Sequence, residues 1–242
     1  AAYSTDGITW RTVTTYLQSP IKISDGENNV ATTIDKNNNL IVITKTNSYF
    51  SPNSDDIIKS IIPANISSDK LGDYISACNE DISIFVSKVA TSSSYSGIRI
   101  KTTSTGIDNI ISIVLPVNPP YKDIIIRNGQ FIVVPSSGDK LCVSSDGSAW
   151  DVISIPFSES WSCGYYDAYG IFYLTPVSST NIYYSNDLVN WHNYVLPSAV
   201  TISNIINNNG RTLFITNNSR TTYYIDNNSD NNKNDIVDIS DY

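Results

Sequence analysis

The chain has 242 residues, of which 40% are hydrophobic and only 16% charged, and acids outnumber bases by 23 to 15, giving a net charge of −8. This length and hydrophobic content suffice for one large domain with its own core. A negative surface repels phosphate backbones, so nucleic-acid binding is not expected. No apolar run approaches the roughly 18 residues of a membrane span, so membrane insertion is not expected either.

A repeated hairpin pattern is the strongest signal in the chain. Residues 3–10, 143–150 and 184–191 each contain a Ser, an Asp two residues later and a Trp four residues after the Asp. Turn-forming residues around the Asp favour a tight hairpin, in which the carboxylate accepts backbone N–H bonds, and Asp146 is expected to be buried in its hairpin. The Trp is large enough to pack beneath the turn. We therefore predict structural roles for six residues: Asp6, Trp10, Asp146, Trp150, Asp187 and Trp191.

Weaker copies of the same hairpin lie at residues 49–56, 100–107 and 223–228. With positions 4, 51, 103, 144, 185 and 225 taken as equivalent, the six copies are separated by 47, 52, 41, 41 and 40 residues. A four-stranded propeller blade needs about 40–50 residues. The spacing therefore indicates one blade per repeat.

A second pattern recurs between these hairpins, namely two apolar strands joined by a polar turn. It is found at residues 30–42, 75–86, 123–134, 161–174 and 206–215. Helical periodicity is not sustained over any useful length. Each repeat is thus predicted to hold an inner strand, a second strand, a third strand, an Asp-containing turn and an outer strand. Several outer strands close on a proline, at Pro63, Pro116, Pro156 and Pro197.

These repeats predict an all-β fold, a β-propeller of four-stranded antiparallel blades that spans residues 1–242 as a single domain. The inner pairs number five and the outer hairpins six, which favours five blades. In that arrangement the N-terminal hairpin closes the ring against C-terminal strands and leaves a surplus segment near residues 221–242. Six blades, the first of them incomplete, is the alternative. The chain has no Met and opens inside a repeat, which favours a processed chain or a segment of a longer protein.

Three cysteines are present, Cys78, Cys142 and Cys163, and they cannot all pair. Their spacing matches no zinc motif, so no metal is expected. Inner and third strands of adjacent blades rarely bring Cα atoms to the roughly 4.4–6.8 Å that a disulfide needs. We predict three free and mostly buried thiols, and no cofactor.

Residues 4–10 and 144–150 resemble the Asp-box (BNR) repeats of sialidase-like β-propellers, although they are one residue shorter than the usual form. The short form is similar to modules in bacteriophage tail and other virion proteins and in secreted bacterial proteins. The resemblance implies a propeller whose Asp-boxes are structural. Sialidase activity would imply an arginine triad, an Arg-Ile-Pro start and a Tyr–Glu nucleophile pair. The chain has five arginines, and Arg99-Ile100 is followed by Lys101.

Residues 185–191 resemble a structural segment of five-bladed arabinanase- and xylosidase-like glycosidases. That resemblance implies three axial carboxylates, for which Asp25, Glu80 and Glu159 are the candidates. Neither Glu is followed by the Gly-Pro that usually follows the acid of these enzymes. The single histidine, His192, directly follows a structural Trp and has no nucleophile or metal-ligand spacing around it. We therefore do not expect an enzyme.

The sequence favours a non-enzymatic recognition or assembly propeller that acts outside a cell, as a bacteriophage virion or tail component. Its expected partners are other virion or cell-surface proteins, or a surface glycan. Tyr and Trp offer flat faces to sugars, and Asn and Asp bind hydroxyls. The candidate ligand-binding residues are Trp161, Tyr165, Tyr166 and Tyr169. The alternatives are a purely structural virion decoration subunit and a five-bladed glycoside hydrolase.

Overall fold

The computed structural model describes residues 2–3, 11–12, 31–37, 39–43, 47–51, 58–61, 74–88, 96–103, 107–208, 210–217, 221–226 and 237–238. Across these ranges the regular elements are 21 β-strands, β1 to β21, and the predicted all-β class is confirmed. Over the same ranges, no helix has the length and hydrophobicity needed to cross a membrane. The strands fall into two compact units, with β1–β10 in unit one and β11–β21 in unit two.

Unit one contains a hairpin and two four-stranded antiparallel sheets. The hairpin pairs β1 (Ala2–Tyr3) with β2 (Arg11–Thr12). Sheet I runs in the order β3 (Ala31–Ile34), β4 (Leu40–Ile43), β5 (Asn47–Ser51) and β6 (Ile58–Ile61). Sheet II runs in the order β7 (Tyr74–Asn79), β8 (Ile82–Ser87), β9 (Gly97–Thr102) and β10 (Ile107–Ile113).

Unit two contains three further sheets, in which neighbouring strands are again antiparallel. Sheet III is formed by β11 (Tyr121–Arg127), β12 (Gln130–Pro135), β13 (Ser137–Ser144) and the first part of β14 (Asp151–Tyr166). Sheet IV is formed by the second part of β14, β15 (Phe172–Pro176), β16 (Ser179–Ser185) and β17 (His192–Val200). Sheet V is formed by β18 (Ile202–Asn208), β19 (Arg211–Thr216), β20 (Thr222–Asp226) and β21 (Val237–Asp238).

Strand β14 joins sheets III and IV without a break. Residues 151–154 and 159–160 pair with β13, and residues 161–166 pair with β15. Between the two segments that pair with β13, residues 155–158 of β14 lie opposite a single residue of β13. This irregularity is a bulge, and it bends the strand. The same bulge recurs in β17, where residues 196–199 lie opposite one residue of β16. Each bulge contains one of the predicted prolines, Pro156 or Pro197, which has no N–H to leave unpaired.

The cores lie between consecutive sheets. In unit one, Ile41 and Ile43 of sheet I pack with Phe85, Ile98 and Ile100 of sheet II, all at 1% exposure or less. In unit two, one buried cluster joins sheets III and IV and a second joins sheets IV and V. Each fully buried side chain of this size contributes about 1.5–3 kcal/mol.

A buried aspartate at the first turn of a sheet adds a polar link to the next sheet. Asp35 follows β3, and its Oδ1 accepts the backbone N–H groups two and four residues later. Its Oδ2 accepts from Thr102 Oγ1 of sheet II at 2.9 Å. Asp167 follows the inner part of β14, accepts N–H groups at the same two offsets, and is reached by Thr212 Oγ1 of sheet V at 3.5 Å. Paired in this way, the buried carboxylates hold neighbouring sheets in register.

The structure corrects one prediction about the chain ends. The predicted surplus segment supplies two strands of sheet V, because β20 pairs with β19 and β21 pairs with β20. Sheet V therefore has four strands drawn from residues 202–238 alone. In the described part of the chain, β1 pairs with β2 and with no other strand.

Gly97 gives a test of strand packing in sheet II. A Cβ placed on Gly97 would lie 2.0 Å from the Phe85 carbonyl oxygen, a backbone atom that cannot move aside cheaply. We expect Gly97→Ala to force β8 and β9 apart and to lower the free energy of unfolding by about 3 kcal/mol. Chemical denaturation would measure this loss.

Gly138→Ala is the matched control. Its Cβ would meet nothing within 4 Å, and only its φ of +106° strains an alanine, so a loss of about 1–2 kcal/mol, smaller than that at Gly97, is expected. An equal or larger loss in the control would contradict the packing argument.

Candidate functional site

The turn at residues 144–150 is built around a serine and an aspartate. Ser144 Oγ accepts the Gly147 N–H at 2.8 Å and the Asp146 N–H at 3.3 Å. Asp146 Oδ1 accepts the N–H groups of Ser148 at 2.8 Å and Ala149 at 3.0 Å. These two side chains satisfy four backbone donors that the hairpin ladder cannot pair.

The turn at residues 185–191 repeats this arrangement. Ser185 Oγ accepts the Leu188 N–H at 2.8 Å, and Asp187 Oδ1 accepts from Val189 at 2.8 Å and from Asn190 at 2.7 Å. The backbone N–H of Asn190, followed by that of Val189, holds the pKa of Asp187 well below its usual range. The predicted carboxylate–backbone bonds are therefore present in both turns.

The tryptophans close the turns, but the burial prediction was wrong for Asp146. Trp150 Nε1 donates to the Gly147 carbonyl at 3.1 Å, and Trp191 Nε1 donates to the Leu188 carbonyl at 3.0 Å. Asp146 is exposed, whereas Ser144 is only 4% exposed, because the serine hydroxyl points into the turn and the carboxylate caps it from outside. Asp6 and Trp10 lie outside the described residues.

The structure separates Trp161 from the other predicted ligand contacts. Trp161 is 2% exposed, its Nε1 donates to the Gly138 carbonyl at 3.0 Å, and Phe157 packs edge-on against it at 5.7 Å. The prediction of a ligand contact is therefore corrected: Trp161 belongs to the core between sheets III and IV.

Tyr165, Tyr166 and Tyr169 differ in how far they reach solvent. Tyr165 is half-buried against the core between sheets IV and V. Tyr166 is half-buried, and its hydroxyl donates to Asn128 Oδ1 at 2.9 Å. Tyr169 is 48% exposed, and its backbone N–H is fixed by Asp167. Of the three, Tyr169 offers the most open ring.

Tyr166 belongs to a group that we call the arginine–tyrosine cluster: Arg127, Asn128, Tyr166, Tyr169 and Asn186. The Arg127 Cζ lies 5.7 Å from the centre of the Tyr166 ring, and its Nη2 donates to the Asn186 carbonyl. The Tyr166 hydroxyl lies 3.7 Å from the point that a Cβ would occupy if Gly170 had one, so Tyr166 is next to the turn that carries Tyr169. Three turns, one from sheet III and two from sheet IV, thus meet at one edge.

The cluster combines an aromatic face, exposed amides and one guanidinium. Arg127 Nε is buried and has no hydrogen-bond partner among the described residues. Sequence reasoning found the tyrosines but missed Arg127, Asn128 and Asn186. The available signal was that predicted turns of adjacent repeats lie at the same edge of their sheets, which would have put these residues beside Tyr166.

A half-buried carboxylate lies at the opposite end of the inner strands. Asp123 Oδ1 accepts the Ile124 N–H at 2.9 Å, and its Oδ2 accepts the Gly164 N–H of sheet IV at 3.2 Å. Burial raises the pKa of Asp123 despite these two bonds. Asn204 occupies the same place in sheet V and accepts the Ile205 N–H at 2.9 Å. The position thus serves backbone pairing whether or not it is charged.

The residues considered for catalysis do not form an activated site in the described residues. Glu80 is exposed in unit one and pairs with Lys36 at 3.4 Å. Glu159, in unit two, accepts from the Tyr183 hydroxyl at 3.5 Å, but burial raises the pKa of Tyr183, which disfavours the nucleophilic phenolate. His192 is exposed, and the centre of its ring lies 5.4 Å from the centre of the Tyr184 ring. Asp25 lies outside the described residues.

The cysteines are free thiols. Burial raises the pKa of Cys142 to about 11 and that of Cys163 to about 12, so both stay protonated and unreactive at neutral pH. Cys78 is half-buried, and burial also raises its pKa. The part of the chain that the structure describes contains no group of three His, Cys, Asp or Glu side chains able to hold a metal ion.

Neither a family model nor a curated protein matches the chain. Solved structures do. Virginiamycin B lyase from Staphylococcus aureus matches with a TM-score of 0.63 at 14% identity, over 89% of this chain and 71% of the lyase. YCF48 bound to D1 peptide matches with a TM-score of 0.54 at 11% identity, over 86% of this chain and 62% of YCF48.

A third structure is PorZ, a surface component of the type-IX secretion system of Porphyromonas gingivalis, with a TM-score of 0.54 at 8% identity, over 87% of this chain and 27% of PorZ. The lyase and YCF48 are β-propellers, and the likeness confirms that fold for this chain. At these identities the likeness shows the fold alone, and five blades stays a prediction.

Ser144→Ala tests the serine in the turn. Removing Oγ leaves the buried Gly147 N–H without its acceptor, so we expect the free energy of unfolding to fall by about 1–2 kcal/mol. Urea denaturation would measure it. The neighbouring exposed Ser145→Ala is the control, with an expected change within about 0.5 kcal/mol. Equal effects in the two variants would contradict the role of Ser144.

Asp123→Asn tests the half-buried carboxylate. Because the folded pKa of Asp123 lies above its ordinary value of 3.8, the folded state binds more protons between the two values. This group's contribution to stability therefore falls as pH rises through that interval. The variant loses this dependence, and its altered bond to Gly164 is independent of pH. We expect its stability relative to the original chain to rise between about pH 3 and about pH 7, as measured by denaturation. A flat or falling difference would refute the argument.

Proposed function

We propose that this chain is a non-enzymatic recognition propeller that acts outside the cell, as a virion or tail component that binds a surface glycan or a partner protein. The binding surface is the arginine–tyrosine cluster. The observation that carries the proposal is the exposure of Tyr169, 48% exposed, on a turn that lies next to the Tyr166 hydroxyl and to side chains fixed by contacts between two sheets. Aromatic and arginine residues held this way are typical of binding hot spots.

The chemistry of the cluster suits a hydroxyl-rich or mixed ligand. The Tyr169 face can stack on an apolar sugar face or a peptide side chain. Exposed Asn128 and Asn186 offer amide donors and acceptors, and Arg127 offers further N–H donors. Because Tyr166 is tied to Asn128, the surface is organised before the ligand arrives, which reduces the entropy lost on binding.

Two neighbours with the same fold support a binding role by analogy. YCF48 is described with a bound D1 peptide, and PorZ is described as a surface component of a secretion system. Virginiamycin B lyase is an enzyme, so the fold itself does not decide between binding and catalysis. In this chain the absence of an activated Glu159–Tyr183 pair favours binding. The virion setting rests on the resemblance of residues 4–10 and 144–150 to Asp-box repeats.

Tyr169→Ala tests the proposal. The purified chain would be screened on a glycan array and against intact cells, and the affinity of each hit measured. We expect the variant to lose at least about tenfold in affinity, because the open ring is the main contact face. Its melting temperature should not change, since only the backbone of Tyr169 is bonded to Asp167.

Val195→Ala is the control, since Val195 is 68% exposed on β17 and lies outside the cluster. Its affinity should match that of the original chain. Equal affinities for Tyr169→Ala and the original chain would move the site elsewhere. The absence of any glycan or cell binding would overturn the recognition function.

A further inference from the structure

The turn that carries Tyr169 is longer than the equivalent turn of three other sheets. In sheets II, III and V, two residues join the first two strands, at 80–81, 128–129 and 209–210. In sheet IV five residues, 167–171, join Tyr166 to Phe172. A turn of five residues has more backbone freedom than a turn of two, so it needs bonds of its own to hold its central residue, Tyr169, in one place.

Asp167 supplies these bonds. Its Oδ1 accepts the backbone N–H groups of Tyr169 and Ile171, both at 2.9 Å, and its backbone carbonyl accepts the Gly170 N–H at 3.2 Å. Tyr169 is exposed, whereas Asp167 is buried. A buried carboxylate thus locates the exposed tyrosine through the tyrosine's own backbone.

Two hydroxyl groups from different sheets hold Asp167 itself. Its Oδ2 accepts from the Tyr173 hydroxyl of sheet IV at 3.2 Å and from Thr212 Oγ1 of sheet V at 3.5 Å. Thr212 is fully buried, and its Oγ1 also accepts from Asn207 Nδ2 at 3.2 Å. A buried polar network whose members are paired is rigid. The Tyr169 turn is therefore connected to a residue of sheet V that is not a member of the arginine–tyrosine cluster.

We infer that Asp167 and Thr212 are positioning residues, which hold the Tyr169 turn in its binding conformation although neither belongs to the binding surface. The inference rests on the proposed function, because it assigns both residues to the site that Tyr169 forms. Without Oδ1 the turn keeps the backbone bonds of residue 167 to Gly170 and Ile171. It loses the bond that fixes the Tyr169 N–H, so Tyr169 has to be ordered when a ligand binds, and this ordering lowers the affinity.

The test compares Asp167→Ala with Asp167→Asn in the full chain, on an array of immobilised oligosaccharides and on intact cells. We expect about tenfold weaker binding for Asp167→Ala. Asp167→Asn should recover most of this loss, because an amide oxygen can still accept the N–H groups of Tyr169 and Ile171. Amide hydrogen exchange followed by NMR should show that the Tyr169 N–H loses its protection in Asp167→Ala and keeps it in Asp167→Asn.

Thr212→Val tests the contribution of sheet V. The substitution removes the hydroxyl that bonds to Asp167 and keeps the shape of the side chain. Because Asp167 keeps its bonds within the turn, we expect a smaller loss of affinity, about threefold.

Sheet I provides the matched controls. Asp35 makes the same bonds, since its Oδ1 accepts from Asn37 and Asn39 and its Oδ2 accepts from Thr102. Asp35→Ala and Thr102→Val should lower the stability about as much as the matching variants of Asp167 and Thr212. They should leave the affinity unchanged, because the turn of sheet I carries no residue of the arginine–tyrosine cluster.

Weaker binding by both Asp167→Ala and Asp35→Ala would show that affinity follows stability, and it would overturn the inference. Unchanged binding by Asp167→Ala, with weak binding by Tyr169→Ala, would overturn the inference and leave the proposed function standing. If Asp167→Ala fails to fold, Thr212→Val and Thr102→Val give the same comparison. Binding that Tyr169→Ala does not weaken, or no binding to the array or the cells, would overturn the proposed function and the inference together.

Discussion

A sheet that is apolar on both faces has to be covered on both faces, and this constraint governs unit two. All five residues of β15 are buried, so sheet IV packs against sheet III on one side and sheet V on the other. In β19 of sheet V the burial alternates, with Phe214 buried and Leu213 and Ile215 only half-buried. One sheet of this kind cannot bury its own apolar surface, which is why the chain repeats it.

Turn chemistry explains how much of the fold could be predicted from the sequence. The five predicted inner pairs correspond to β3–β4, β7–β8, β11–β12, β14–β15 and β18–β19, because Asn, Asp and Gly mark their turns and β-branched residues mark their strands. The Ser-X-Asp turns could be predicted equally well, because their side-chain to backbone hydrogen bonds join residues that are close in sequence. The pairing of residues 221–242 could not be predicted in this way, because the connection between β20 and β21 is so rich in Asn and Asp that turn chemistry marks no single hairpin position in it.

The predictions that failed concern burial, which depends on neighbours distant in sequence. Asp146 and Ser144 bond the same turn, yet only the serine is buried. Trp161 was predicted to belong to an exposed aromatic group, but it lies in the core between sheets III and IV, where its ring meets Phe157 and Tyr183. Conversely, Arg127 joins Tyr166 only because two sheets bring their turns together, and no local pattern marks that contact.

Comparing equivalent positions in the five sheets separates side chains that the fold requires from side chains that it does not. Where sheets share a residue type or a bond, as with the bonds of Asp123 and Asn204 to the next backbone N–H, the fold accounts for the side chain. At the first turn, sheets I and IV have an Asp that bonds to the next sheet, whereas sheets II, III and V have Asn79, Arg127 and Asn208 before a two-residue turn, so the fold allows this position to vary. Arg127 and its neighbour Tyr166 lie at the edge that carries the open ring of Tyr169. Because the strands of sheets III and IV hold the turns at this edge in place, changes in the side chains of these turns can alter what the surface recognises without altering the sheets.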